Sequence, residues 1–231
     1  MIRKIFSVKM IALAALLLVA IGWACSSSNK IQTGNMSGRQ SMLKSFYPVL
    51  TKVTRFLGVN NRVINSPNKT VPLASVYDIP FELNNGDTVS LQAWKGKKII
   101  VVNTASDCGY TGQYEELQAL YKNNNGEVVI IGFPANDYKK QEKGTNEEIA
   151  AFCKKNYGVE FPIAMKTSVI KGKEQHPLFA WLSDPEKNGW NKEAPGWNFS
   201  KYVIDESGNL TGYFDPGVSP LGKEISEALK K

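Results

Sequence analysis

Two uninterrupted apolar runs constrain this chain most. Ile99-Ile100-Val101-Val102-Asn103-Thr104-Ala105 and Val128-Val129-Ile130-Ile131-Gly132-Phe133 are apolar at successive rather than alternate positions. A strand of that kind must be covered on both faces, which is the habit of a parallel strand inside a sheet. Between the two runs, Thr111 to Lys122 reads as a helix. Phe81 to Leu83 and Thr88 to Leu91 flank Asn84-Asn85-Gly86-Asp87, a hairpin signal. Thr145-Asn146-Glu147-Glu148 opens a helix reaching about Tyr157, with a capping residue and acids in its first turn. Pro177 to Leu182 reads as a short helix, Lys201 to Asp205 and Leu210 to Phe214 as a second hairpin, and Ser219 to Lys230 as a closing helix. Strands alternating with helices predict an α/β fold with a central mixed sheet.

Cys108 stands where the first run gives way to the helix. A thiol at a helix N-terminus faces unpaired backbone N–H groups and the positive end of the helix dipole, both of which favour the thiolate nucleophile. The plainer alternative is a small buried hydrophobe. A thiol at the first strand-to-helix turn points to a thioredoxin-like fold.

Charge divides the chain. The net charge of +7 is misleading as a whole, because residues 1–77 carry ten Lys or Arg and no acid, while residues 78–231 carry 18 basic and 21 acidic side chains. A nucleic-acid partner would require a basic face on the folded domain, so that class is set aside. A basic arm beside an apolar segment suits anionic lipid head groups.

Arg3, Lys4 and Lys9 precede an apolar run from Met10 to Ala24, short for a spanning helix and suited to a signal peptide over residues 1–24. Gly22-Trp23-Ala24-Cys25 followed by serines resembles a bacterial lipoprotein start in which Cys25 is acylated. Cleavage by ordinary signal peptidase and an uncleaved anchor stay open. The expectation is an exported, membrane-anchored protein of a bacterial envelope. Residues 25–74 read as a basic tether: a Ser-, Asn- and Gly-rich stretch at 26–40, an amphipathic segment at 42–58 that either packs on the domain or lies on a membrane surface, and a loop from Asn60 to Pro72. Pro48 is expected to kink that segment or start a second helix. The domain proper is expected over residues 75–231.

If Cys25 is lipidated or removed, Cys108 and Cys153 remain, a pair that can be a structural staple or a redox couple.

From Val102 through Thr111 the sequence resembles the glutathione peroxidase signature around its peroxidatic cysteine. Gly132-Phe133-Pro134-Ala135-Asn136-Asp137-Tyr138 with Gln141-Glu142 resembles the second signature, and Trp197-Asn198-Phe199 the third. The resemblance runs from about Ser75 to the C-terminus. It implies a catalytic tetrad of Cys108, Gln141, Trp197 and Asn198, in which the Gln and Asn amides and the indole N–H are neutral donors to a thiolate and to developing oxygen charge. Taken singly, Trp197 reads as a core aromatic, Gln141 as a loop residue and Asn198 as a turn residue. The resemblance also implies that Cys153 is the resolving cysteine of the thioredoxin-dependent, two-cysteine branch. The implied substrates are hydrogen peroxide and organic or lipid hydroperoxides, with a thioredoxin-like protein or glutathione as reductant.

Ala135 stands where the family usually has Cys, Asp137 where it has Gln, Lys143 where it has Pro and Thr104 where it has Val. The stretch from His176 to Trp197 is too short for the family's oligomerisation loop, which implies a monomer. No cofactor is called for, and zinc would have only one His and two separated Cys to bind it. Two rivals are weighed. A thiol–disulfide oxidoreductase is disfavoured because Thr111 occupies the place of the second Cys of a CxxC pair. The other is a non-enzymatic envelope lipoprotein with a thioredoxin-like fold and structural thiols.

Overall fold

The computed structural model describes residues 35–67 and 70–230. The signal segment and Cys25 lie outside them. A five-stranded mixed sheet runs in the order β1 (Val63–Asn65), β7 (Leu210–Phe214), β6 (Lys201–Ile204), β4 (Lys98–Thr104), β5 (Val128–Pro134). β4 and β5 pair in parallel, with Ile100 opposite Ile130 and Val101 opposite Ile131; the other neighbours are antiparallel. β2 (Pro80–Glu82) and β3 (Thr88–Ser90) form a separate hairpin. The helices are α1 (Gly38–Phe56), α2 (Gln113–Asn123), α3 (Asn146–Tyr157), α4 (Pro177–Leu182), α5 (Pro185–Asn188) and α6 (Lys223–Ala228).

The two continuous apolar runs are indeed the paired central strands, and every residue of β5 is buried. Alternation along β4 divides the core. Ile100 and Val102 pack with Cys108, Tyr114, Phe152, Cys153 and Phe199, whereas Ile99 and Val101 pack with Phe179, Trp181, Tyr202 and Ile204. Both thiols therefore share one layer, while His176 lies in the other, against Phe81, Phe133 and Phe179. α3 begins with the expected capping box, the Thr145 hydroxyl accepting from Glu148 N–H, and ends at Gly158 with φ +61°.

Two expectations for the N-terminal arm change. Residues 60–72 are not all loop: Val63–Asn65 add an edge strand to β7, so the sheet draws on residues ahead of Ser75. Three residues are too few to show a period, and the strand is held from outside itself. Arg62 donates through its backbone N–H and Nε to Asp215 Oδ2, both at 3.0 Å, and through Nη2 to Oδ1 at 3.2 Å. The second change concerns Pro48. It does not start a second helix: α1 runs through it for 19 residues. Packing explains this. Buried Gln40 and Tyr47 fasten α1 to the domain, and tertiary contacts decide where local propensity is ambiguous. Among the described residues no helix is long and apolar enough to cross a membrane.

Candidate active site

β4 delivers the chain into a tight turn that carries Cys108 to the start of α2. Thr111 closes that turn. Its hydroxyl donates to the carbonyls of Ala105 at 2.9 Å and Cys108 at 2.7 Å, and it accepts the Cys108 N–H at 3.0 Å. The position that a CxxC enzyme would give to a second sulfur is thus spent on building the loop. Gly112 heads α2 because Tyr47 of α1 occupies the place a Cβ would take; at Gly109 the same atom would meet Leu50 Cδ2 at 2.9 Å.

Cys108 Sγ is buried, and Tyr110 N–H donates to it at 3.4 Å. Trp197 and Asn198 also stand as donors to the sulfur. Asn198 Nδ2 donates to Gln141 Oε1 at 2.9 Å, so the four residues drawn from three distant signatures meet in one place. Asn198 Oδ1 is buried without a hydrogen-bond partner. Helix-end donors alone suggested a low thiol pKa. Burial reverses that: it pushes the Cys108 thiol up to about 11, the three donors pull against it, and the Asp107 carboxylate adds to the rise.

Several further residues hold this arrangement, most of them inside the three signatures but without a role assigned to them there. Asn103 on β4 clips the third signature, donating from Nδ2 to Trp197 O at 3.0 Å and accepting from Ser200 N–H on Oδ1 at 3.0 Å. Between them Phe199 adopts φ +69°, a conformation costly to a non-glycine residue, and its buried ring lies edge-on to Tyr114. Glu142 is fully buried and binds the loop on the near side of Cys108, accepting Ser106 N–H at 2.9 Å and the Ser106 hydroxyl. Gln141 O accepts Asp107 N–H at 3.0 Å, which ties the second signature to the first. Trp197 is flanked by the Tyr138 ring at 5.3 Å and Lys139 Nζ at 5.6 Å. Arg39, from α1, is paired with Asp107, and Gln40 Nε2 donates to Ser106 O at 3.0 Å. Arg39 and Gln40 lie outside the stretch that resembles the family, so no motif could point to them.

Cys153 sits in the second half of α3, buried beside Tyr114 and unbonded to Cys108. Burial raises its thiol pKa strongly; the Tyr114 hydroxyl opposes the rise and Glu142 adds to it. Ala135 and Asp137 prove structural: Ala135 is fully buried, and Asp137 accepts from the Ser168 hydroxyl at 2.9 Å and Val169 N–H at 2.8 Å. His176 Nδ1 accepts from Leu178 N–H as a helix cap, away from the thiols. Among the described residues no group of three His, Cys, Asp or Glu could hold a metal ion.

A lone thiol at the head of the first crossover helix of a thioredoxin-like sheet, ringed by neutral donors and without a CxxC partner, defines a thiol-dependent enzyme of the thioredoxin-fold class. Comparison with known proteins narrows the class. The glutathione peroxidase family model matches residues 76–183. The glutathione peroxidase homolog BsaA of Halalkalibacterium halodurans is 45% identical over 148 residues, 64% of this chain and 93% of that protein. A glutathione peroxidase of Lactococcus lactis is 42% identical over 156 residues, 67% and 97% of the two chains. The crystal structure of Trgpx in apo form aligns with a TM-score of 0.52 at 32% identity, over 69% of this chain and 97% of that one. Trypanosoma cruzi GPX1 gives 0.52 at 29% identity, over 68% and 94%. The chain belongs to the glutathione peroxidase family and is a thiol peroxidase.

Proposed function

We propose that Cys108 reduces hydrogen peroxide or organic hydroperoxides and that Cys153 resolves it. The observation that carries the first half is the set of neutral donors converging on the Cys108 sulfur. In the first step the sulfur attacks one peroxide oxygen, the O–O bond breaks, and the thiol proton leaves with the departing oxygen. Cys108 becomes a sulfenic acid and the peroxide becomes water or an alcohol. Trp197, Asn198 and Gln141 stabilise the charge that develops on oxygen. None of these three donors carries a formal charge, which suits hydroperoxides of varied size.

In the second step the Cys153 thiol condenses with the sulfenic acid, releasing water and leaving a disulfide that a thioredoxin-like protein reduces. Cys153 has to leave its buried place in α3 to do this. The end of that helix has to yield, which means releasing its capping bonds, Gly158 N–H to Lys154 O at 3.0 Å and Val159 N–H to Cys153 O at 3.3 Å, together with the Lys44 Nζ bond to Asn156 O at 3.0 Å and the packing of buried Tyr157. The burial of Cys153 favours a second reading in which an external thiol such as glutathione resolves Cys108 directly. Cys153→Ser separates the two. On the two-cysteine reading, the variant consumes one equivalent of peroxide and no NADPH through thioredoxin, and mass spectrometry finds Cys108 as sulfenic or higher acid. If turnover with thioredoxin persists, the external-thiol reading replaces it.

Positioning of the donors depends on Asn103. Asn103→Ala strands the buried Ser200 N–H and frees the Trp197–Asn198 segment. Loss of a buried partner costs about 1–3 kcal/mol, readable by urea unfolding. The displaced donors should slow single-turnover oxidation of Cys108 on the order of 10- to 100-fold.

For the arm we infer export and membrane anchoring, through acylated Cys25 or the apolar run itself. The support is the charged n-region, the 15-residue apolar run and the Ser-rich stretch after it. A monomer is the matching expectation, from the short stretch between His176 and Trp197.

A further inference from the structure

α1 has two faces. Gln40, Lys44 and Tyr47 turn inward, onto Ser106, Glu115 and Glu116. Met42, Phe46, Val49, Val53 and Phe56 turn outward and are exposed, Phe46 by 52%, Val49 by 50% and Phe56 by 82%. Their spacing of four, three, four and three residues confines them to an arc of about 80° along about 21 Å of helix. Leu57 and Val59 extend the patch beyond the helix end, with exposures of 61% and 48%. Isolated exposed apolar residues are ordinary; a continuous stripe of this length marks a surface that is covered in use.

We infer that this stripe docks on an anionic lipid surface. Charge is the first argument. α1 carries Arg39, Lys44, Lys52 and Arg55 and no acid, and the first acid in the chain is Asp78. Lys52 is exposed and borders the stripe along one side, while Arg55, also exposed, lies farther round the same side of the helix. A second copy of α1 would offer Lys52 no carboxylate on either helix, and two heptads interrupted by Pro48 are short for a coiled coil. An apolar stripe bordered by Lys52, on a helix that carries basic residues and no acid, fits the boundary between anionic head groups and acyl chains. Chain length is the second argument. Only 13 residues separate Ala24, the end of the apolar run, from Gly38 at the head of α1. That connection spans about 45 Å at most, so on the anchoring proposed above, on which this argument rests, α1 stays within that reach of the membrane surface. Because the inner face of α1 packs on Ser106, Asp107, Gly109 and Gly112, docking sets the Cys108 loop about one helix diameter, roughly 10 Å, behind the lipid. The docking stands independently of the chemistry assigned to Cys108.

The test uses the full chain carrying photo-reactive benzoylphenylalanine at position 46, at position 56 or, as control, at position 85 in the exposed β2–β3 turn. Each is reconstituted in vesicles of phosphatidylcholine with or without phosphatidylglycerol, irradiated, and read by peptide mass spectrometry. Lipid adducts at 46 and 56, several-fold more abundant with phosphatidylglycerol and several-fold above position 85, are expected. Adducts joining α1 to a second copy or to residues 10–24, equal labelling at position 85, equal labelling without phosphatidylglycerol, or no lipid adduct would each overturn the assignment.

Discussion

Cys108→Ser is expected to lower peroxide turnover by more than about a thousandfold while leaving the fold intact. The substitution removes one soft atom and keeps a group that can accept Tyr110 N–H, so the loop built by Thr111 survives. What it removes is the nucleophile, and nothing nearby can activate an oxygen in its place. His176 is across the sheet, capping α4. Glu142 is engaged with Ser106, and Asp107 is paired with Arg39. A pocket of donors stabilises charge on oxygen without removing a proton from a hydroxyl. The same surroundings set the resting state of the wild type. With its thiol pushed up to about 11, Cys108 is protonated at neutral pH until peroxide arrives. Its alkylation by iodoacetamide should therefore climb about tenfold per pH unit through the neutral range, because the rate follows the thiolate fraction. A plateau near neutrality would show that the donors outweigh burial.

Legibility of this protein in its sequence follows from how local each signal is. The strands β4 and β5 were readable because burial on both faces leaves an unbroken apolar run. The boundaries of α3 were readable because Thr145, Glu148 and Gly158 are capping residues with fixed tasks. Cys108, Gln141, Trp197 and Asn198 were nameable through the resemblance, and the fold brings them together. The residues that hold them were not readable. Asn103 looks like a polar interruption of an apolar strand, and only its partners across the sheet give it a task. Glu142 would pass for a solvated loop acid, and no local pattern says that it is buried. Val63–Asn65 owe their strand to the free edge of β7, and Pro48 owes its place in a helix to packing at Tyr47. A helix-end N–H, that of Tyr110, does donate to the Cys108 sulfur, but local sequence carries only that half of the balance. The other half is desolvation, which depends on what packs above the loop and outweighs the donors.

Glu142 carries the second large expectation. Its carboxyl is fully buried, and burial pushes it up to about 7 despite two hydrogen bonds from Ser106 and the attraction of Lys166. In the unfolded chain it titrates at the ordinary glutamate value, so between that value and about 7 the folded state holds a proton the unfolded state has released. Stability from this group is therefore fully present at acid pH and is lost as pH rises through that window, at a total cost of about 3 kcal/mol. Glu142→Gln removes the ionisation and keeps the contacts, since an amide oxygen can accept Ser106 N–H and the amide nitrogen can donate to the Ser106 hydroxyl. By urea unfolding, the variant should match the wild type near pH 4 and exceed it by about 3 kcal/mol near pH 8. Taking the difference between the two proteins at each pH cancels titrations elsewhere. An equal difference at both ends would mean that Glu142 stays ionised in the fold and that Lys166 and Ser106 suffice to hold its charge. The ionised carboxylate also raises the Cys153 thiol, so the same variant should ease Cys153 towards its thiolate. A faster approach to the Cys108–Cys153 disulfide above neutral pH, in a protein that has become more stable, would separate electrostatic control of resolution from mere loosening of α3.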